Sequence, residues 1–419
     1  MKKVEILSVG TELLMGQIAN TNAQYISRRF PEIGLGVFYH SVVGDNPKRL
    51  ADSLFIALKR SDVVVTTGGL GPTQDDLTKE TVAAALGIPM VLNENCKEMI
   101  EAYFKNIGRD MPKNNYRQAF FPSGSTLMEN GMGTAPGCII ETEYEGKEKV
   151  VILLPGPPKE LVPMFDNCVL PYFKEKAEHR IYSMFLKVIG VGESKVEELL
   201  IETIDGQTNP TVATYAKDGI VTIRVTANDE NGESPEALVE CTVEKICAIL
   251  GENVYARVDE DPEFTVFRML KEKSMTMAAA ESCTGGLISQ KMTAFPGSSA
   301  VFKCSTVVYT AESKCKLLGV SADTIEKYGV VSGETALEMV QGICKLSGAD
   351  CGISVTGYAG PTSDPGMPVG LVFIGIKCFD CEKVHKFIFN GNRERVRTLC
   401  AVNAYDLLRR AIKASDNKG

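Results

Sequence analysis

Short β-branched runs alternate with stretches of helical spacing from the start of this 419-residue chain, and that alternation constrains its fold more than any other feature. Segments 4–9, 62–67 and 149–154 read as buried strands, while 22–30, 47–60, 75–86 and 94–107 carry apolar residues at helical spacing. Strands alternating with helices build βαβ units around a mainly parallel sheet. This block is predicted to close near Tyr172. The order then changes. A strand at 185–189, a helix at 194–203, a hairpin of 212–215 with 220–227 around Lys217-Asp218-Gly219, and a helix at 235–250 give a small β-α-β-β-α domain. A linker follows at 256–262. The third block has a helix at 263–273, strands at 275–280 and 299–309, a helix at 334–346, strands at 349–355, 371–377 and 383–389, and a final helix from Arg393. At roughly 150 residues per domain the length allows two or three domains. The expected division of this α/β chain is 1–172, 173–256 and 263–415.

Composition excludes several chemistries. The only histidines are His40, His179 and His385, and none sits in a metal or triad motif. A hydrolase built from this chain needs Lys, Tyr, Asp, Glu or a metal-bound water as its base. The thirteen cysteines are irregularly spaced, and the C-x-x-C at Cys378 and Cys381 has no matching second pair, which fits free thiols in a reducing cytoplasm better than zinc. The VEILSVG run after two lysines carries Glu5 and reads as a strand rather than a signal peptide. No apolar stretch reaches the ~20 residues of a membrane helix. A net charge of −8 gives no footprint for nucleic acid or an anionic membrane. The expectation is a cytoplasmic protein with small-molecule partners.

Two constellations carry chemistry. In the first, a strand runs into Gly68-Gly69-Leu70-Gly71-Pro72-Thr73 and then Gln74-Asp75-Asp76, expected to open a helix. Glycines let backbone N–H groups approach an anion, and a helix N-terminus favours phosphate. Adjacent Asp75 and Asp76 suggest a bridging hard cation such as Mg²⁺; a helix cap explains them equally. Neither G-x-x-x-x-G-K-[ST] nor G-x-G-x-x-G is present. In the second, 278–286 ends a strand in small residues and passes through Glu281-Ser282-Cys283-Thr284-Gly285-Gly286 into a helix. Ser282 or Cys283 sits where a nucleophile could, with N–H groups nearby for an oxyanion; the alternative is a Ser N-cap. Tyr309, Lys314 and Thr356 follow at other strand ends, and such ends are where α/β active sites lie.

The motifs around these sites resemble the CinA (competence/damage-inducible) family along the whole chain. TGGLGPTQDDLT at 67–78 resembles the molybdopterin-binding signature, and VGTELLMGQIANTN at 9–22, NGMGTAPG at 130–137 and LLPGPPKE at 153–160 narrow it to the CinA N-terminal domain. The resemblance implies a three-layer, molybdopterin-binding-like domain that hydrolyses ADP-ribose to AMP and ribose 5-phosphate with Mg, Mn or Co. In it Gly68, Gly69, Gly71 and Thr73 would cradle the pyrophosphate, and Asp75 and Asp76 would help hold the metal. Glu12, Asn20 and Gly156 would lie near the cleft, the prolines beside Gly156 serving as rigid turns or as contacts. The alternative is a pterin- or nucleotide-binding module, or a scaffold in competence and DNA repair, without catalysis. The middle segment, with GVGES at 190–194, is KH-like in element order but lacks the G-x-x-G clamp. Its first helix carries Glu197, Glu198 and Glu202, the wrong sign for phosphates.

AESCTGG at 280–286, FPGSS at 295–299, the Tyr309–x₄–Lys314 spacing, VVSGE at 330–334, TGYAGP at 356–361, PVG at 368–370 and GNRERVR at 391–397 resemble the CinA C-terminal domain. That resemblance implies a cofactor-free nicotinamide mononucleotide deamidase of pyridine-nucleotide salvage, and a homodimer. The family's catalytic Ser, Tyr and Lys fall on Ser282, Tyr309 and Lys314, and Cys283 is the rival nucleophile. Lys314 could lower the Tyr309 phenol's pKa by its charge or, desolvated and neutral, take the proton itself. Thr284, Gly285, Gly286 and Thr356 are expected at the substrate, with Arg393 or Arg397 on the ribose phosphate; the alternative for these arginines is a solvated helix face. The chain departs from the family pattern at Cys304-Ser305, usually Gly-Gly, and at Met367, often Lys. The first is expected to stiffen or narrow the substrate strand, the second to weaken phosphate or partner contacts.

Overall fold

A strand covered on both faces needs apolar or β-branched residues at every position, because successive side chains point to opposite faces. Val63–Thr67 meets that demand and is buried throughout. The computed structural model describes residues 2–106, 108–176 and 180–416; Ile107, which ends one expected helix, and His179 lie outside them. The chain divides into two units, Met1–Tyr182 with Asn228–Glu233, and Ser183–Ala227 with Ser234–Gly419.

Among the described residues of the first unit, a six-stranded sheet runs in the order Gly36–Val43, Lys3–Val9, Val63–Thr67, Lys147–Leu154, Gly137–Tyr144, Thr126–Met128. The first four strands are parallel, and Gly137–Tyr144 is antiparallel to both its neighbours. Leu7, Val64, Val151 and Leu153 face a core with Leu50, Leu54 and Leu58 of the helix Pro47–Arg60. Val4, Ile6, Val63, Val65 and Ile152 face a second core with Ile26, Phe30 and Phe165. The result is three layers. Three strands of this sheet escape the sequence pattern, Thr126–Met128 because it is only 3 residues long. Gly36–Val43 is a largely exposed edge, and Gly137–Tyr144 changes from buried to charged halfway along. The helix expected at 75–86 begins only at Thr78 and ends at Ala85, which leaves Asp75 and Asp76 in the preceding turn.

In the second unit a four-stranded sheet has the order Thr211–Lys217, Ile220–Asn228, Ile181–Ile189, Val254–Ala256. Its hairpin turns through Asp218 and Gly219, at φ +53° and +81°, the left-handed pair that suits a two-residue loop. The single helix expected at 194–203 is two short ones, Glu193–Leu199 and Ile201–Ile204. A five-stranded sheet follows in the order Phe302–Val307, Met277–Glu281, Cys351–Gly357, Leu371–Cys378, Cys381–Ile388, its first three strands parallel and its last two antiparallel to their neighbours. Met277 and Ala279 pack towards Val396, Cys400 and Leu408 of the final helix, Arg393–Asp416. Ala278 and Ala280 pack towards Met339 and Ile343 of Gly333–Ser347. The alanines let both helices close on the central strand. Val402 also packs among Ile189, Ile220, Tyr255 and Ala256, and buried Arg409 donates to the Glu252 carbonyl at 2.9 Å. The KH-like module and the C-terminal sheet are thereby joined within one unit. No helix among the described residues is long and apolar enough to cross a membrane.

Candidate functional site

Parallel strands present their carboxyl ends at one sheet edge, so the residues that follow them meet there. In the second unit Ser282 follows Met277–Glu281, Tyr309 follows Phe302–Val307, and Thr356 lies near the end of Cys351–Gly357. The Ser282 N–H donates to the Val355 carbonyl at 3.0 Å, and its own carbonyl accepts from Gly285 at 3.1 Å. Gly285 and Gly286 stand at φ +59° and +96°, and the helix Leu287–Thr293 starts only after them. Gly286 is the cap, which removes the alternative of Ser282 as N-cap.

Lys314 is buried on the first turn of Ala311–Leu318, a helix whose start is fixed by a capping box between Thr310 and Ser313. Its Nζ lies 3.2 Å from Ser282 Oγ and 2.8 Å from the Val308 carbonyl. No carboxylate pairs with it among the described residues, and burial pushes its pKa down to about 8. A neutral amine at that distance can take the serine proton. Cys283 packs in the same apolar core as Cys400.

The other expected residues take more varied parts. Tyr309 is exposed, and its hydroxyl accepts from Arg393 Nη2 at 2.9 Å; no hydrogen bond joins it to Ser282 or Lys314. Arg393 Nη1 donates to the Gly360 carbonyl at 2.8 Å. The Thr356 hydroxyl proton goes to the Val330 carbonyl at 2.7 Å, which leaves its oxygen able to accept from an amide N–H but no proton to give to an oxyanion. Arg397 donates from Nε and Nη2 to the Thr284 carbonyl at 3.2 and 2.6 Å. Thr284 Oγ1 is buried with no partner. Ser305 lies 2.6 Å from the Ser289 hydroxyl, and Met367 is exposed. His40 lies on the other unit's edge strand and His385 on the outer strand Cys381–Ile388. The thirteen cysteines are free thiols, and Cys378 lies opposite both Cys351 and Cys381 across the strands.

The first unit gathers its glycines at a sheet edge in the same way. Gly68 donates to the Leu154 carbonyl at 2.9 Å. Gly156 passes so close that a Cβ on it would lie 3.5 Å from Gly68 Cα. Gly68 has φ +101°, and a Cβ there would stand 2.3 Å from the Val9 carbonyl oxygen. Gly68→Ala is therefore expected to cost about 1–3 kcal/mol. It would be read as a lower thermal unfolding midpoint, and an unchanged midpoint would show that the loop yields freely. At Gly69 and Gly71 a Cβ would meet Thr78 Oγ1 and Asp76 Oδ2 at 2.2 and 2.4 Å.

Asp76 is neither a helix cap nor a wholly free ligand. Its Oδ2 accepts from the Thr73 amide at 3.0 Å and hydroxyl at 2.6 Å, and so closes the turn. That uses the Thr73 donors expected at a phosphate. Asp75 is exposed. Asn20 caps Thr21–Arg29 through the Ala23 N–H and donates to Ser8 Oγ at 2.9 Å, while Glu12 is exposed with its carboxylate over Gly10. Among the described residues no three or more His, Cys, Asp or Glu side chains group to hold a metal. The donors left, Asp75 and the second Asp76 oxygen, fit only a hard cation whose other ligands are substrate phosphates and water.

A competence-damage inducible protein of Acetivibrio thermocellus is 50% identical over 409 residues, spanning 97% of this chain and 98% of its own. The chain belongs to the CinA family. A CinA-like protein of Dictyoglomus thermophilum is 46% identical over 411 residues, spanning 98% and 99%. Three family models match in succession: a probable molybdopterin binding domain at 5–175, the damage-inducible protein CinA KH domain at 183–256, and the CinA C-terminal domain at 259–412. A solved CinA structure of unknown function from Thermoplasma acidophilum is 35% identical, covers 41% of this chain and 97% of its own, and has a TM-score of 0.37. The α/β fold of this CinA chain thus comprises a molybdopterin-binding-like, a KH-like and a CinA C-terminal domain.

Sequence reasoning passed over several residues at the two CinA sites. Glu281 lies in the motif that drew attention to Ser282, and a carboxylate at the end of an all-apolar strand was its signal. Asn22, which donates to the Gly156 carbonyl at 2.7 Å, stands two residues from the Asn20 singled out in the same motif. Arg117, which reaches the Thr73 carbonyl at 3.1 Å and Glu80 at 3.1 Å, had no sequence signal, being 44 residues from its partner loop.

Proposed function

We propose that the C-terminal domain is a serine amidase in which Ser282 is the nucleophile and Lys314 the base, and that its substrate is the carboxamide of nicotinamide mononucleotide. The observation that carries this reading is the buried Lys314 amine 3.2 Å from Ser282 Oγ. Ser282 Oγ attacks the amide carbon as its proton passes to Lys314 Nζ. The leaving nitrogen takes that proton and departs as ammonia. Water, deprotonated by the same amine, then hydrolyses the acyl-serine to nicotinate mononucleotide. Arg393, exposed and already holding the Tyr309 hydroxyl, suits the ribose phosphate. The test is ammonia release from nicotinamide mononucleotide by the full chain, with nicotinate mononucleotide formed in equal amount. Absence of both products removes the substrate assignment.

For the N-terminal domain the reading is hydrolysis of ADP-ribose to AMP and ribose 5-phosphate. A divalent cation, when bound by Asp75 and Asp76 together with the pyrophosphate, would supply charge neutralisation there. The chain's own part is to present the 68–73 turn to the phosphates and to hold that turn through Arg117 and Asp76. The engagement of Asp76 in the turn favours a second reading, a nucleotide- or pterin-binding module without catalysis. AMP release with Mg²⁺, Mn²⁺ or Co²⁺, lost in Asp75→Asn, is expected for the enzyme. ADP-ribose left intact with all three metals establishes the binding module.

A further inference from the structure

A nucleophile on a turn is only as well placed as the turn. The segment 282–286 carries two glycines with left-handed backbone, and its N-cap residue, Gly286, has no side chain to cap the helix that follows. Left to itself, such a turn has many conformations of similar energy. The residue that holds it is Glu281. Its side chain is fully buried, and its two oxygens accept from four donors. Oε2 takes the Gly286 N–H at 2.9 Å and the Ile288 N–H at 3.2 Å. Oε1 takes the Ser289 N–H at 2.9 Å and the Ser289 hydroxyl at 2.5 Å. The Ser289 hydroxyl has one proton and spends it on the carboxylate, so Ser305, 2.6 Å away, donates to Ser289 in turn. Ser305 lies on Phe302–Val307, the strand that leads to Tyr309 and the helix of Lys314. One hydrogen-bonded chain therefore ties the nucleophile's turn to the strand preceding its base.

We propose that Glu281 is a positioning residue for the amidase reaction: its carboxylate clamps the 282–286 turn so that Ser282 Oγ stays within reach of Lys314, and Ser289 and Ser305 complete the clamp. This rests on the amidase reading above. A carboxylate suits the task because it is acceptor-only and faces four donors. Glutamine would turn an NH₂ group towards N–H groups already there. A misplacement of about 1 Å in a nucleophile can cost roughly 10²-fold in rate.

The test uses the full chain and two readouts, steady-state deamidation of nicotinamide mononucleotide and labelling of Ser282 by a fluorophosphonate. In the second, the Oγ–P bond forms, the P–F bond breaks, fluoride leaves, and the serine proton passes to Lys314. Glu281→Gln is expected to lower kcat and the labelling rate constant by a similar factor, roughly 10²-fold. KM should change little, the labelled fraction at saturation should stay the same, and Glu281→Asp should recover part of the rate. An unchanged labelling rate overturns the proposal. So does a reduced end-point at an unchanged rate, which would mean lost folded protein rather than a misplaced serine. If Glu281→Gln does not fold, Ser289→Ala decides. It removes one of the four donors, and a labelling rate equal to wild type in that variant overturns the proposal. Wild-type labelling without ammonia release would sink the substrate assignment alone, and the variants' labelling rates would still judge the clamp.

Discussion

Ser282→Ala is expected to abolish amide hydrolysis, with kcat falling on the order of 10⁵–10⁶-fold if the side chains act as a unit. Cys283→Ala should keep most of the activity. The two residues are neighbours in the same turn, and a thiol is intrinsically the better nucleophile. Geometry reverses that preference. Ser282 Oγ has a buried amine at 3.2 Å, whereas Cys283 is packed into the apolar core against Cys400. Ammonia release from nicotinamide mononucleotide by the two variants decides the matter. Activity that survives in Ser282→Ala and disappears in Cys283→Ala would transfer the role to the thiol.

The second large effect belongs to Lys314. Methionine at this position fills much of the same volume without the amine, and Lys314→Met is expected to lower kcat by roughly 10²–10⁴-fold through loss of the base. The pH profile gives an independent check. The base must be neutral, and burial brings its pKa down to about 8. The wild-type rate should therefore rise with pH as the amine loses its proton and level off above about 8, and Lys314→Met should lose that rise. A wild-type profile that falls across this range would exclude a lysine base. Stability follows the same titration. The unfolded chain holds the Lys314 proton up to about 10.5 and the folded chain releases it near 8. Between these values the unfolded state binds more protons, so this group makes folding more favourable as pH rises.

Much of this was legible in the sequence because it is local. Val63–Thr67 declares a doubly covered strand by composition alone, and Lys217-Asp218-Gly219 declares its hairpin. Ser282, Tyr309 and Lys314 each follow a strand, and parallel strands must end at one edge, so the order of elements already placed them near one another. Where each side chain points was not local. Tyr309 and Lys314 are separated by four residues, yet one ends a loop in solvent against Arg393 and the other lies inside the first helical turn against Ser282. The family resemblance implied a three-residue relay, and the packing sets Lys314 Nζ beside Ser282 Oγ while the Tyr309 hydroxyl meets Arg393.

The acidic residues show the same division. Asp75 and Asp76 looked like a matched pair because they are adjacent. The fold sends Asp76 back to Thr73 and leaves Asp75 exposed, since the helix does not begin until Thr78. Glu281 looked like part of a motif around a serine, and only the returning helix shows four donors converging on it. Sequence by itself determined the alternation of elements, the glycines that the turns require, and the absence of any histidine motif at the nucleophile. The tertiary structure alone decided which cation is buried beside a serine, which hydroxyls already have partners, and which carboxylate meets the turn's N–H groups. Those are properties of burial and of hydrogen-bond partners tens of residues apart, and no local pattern encodes either.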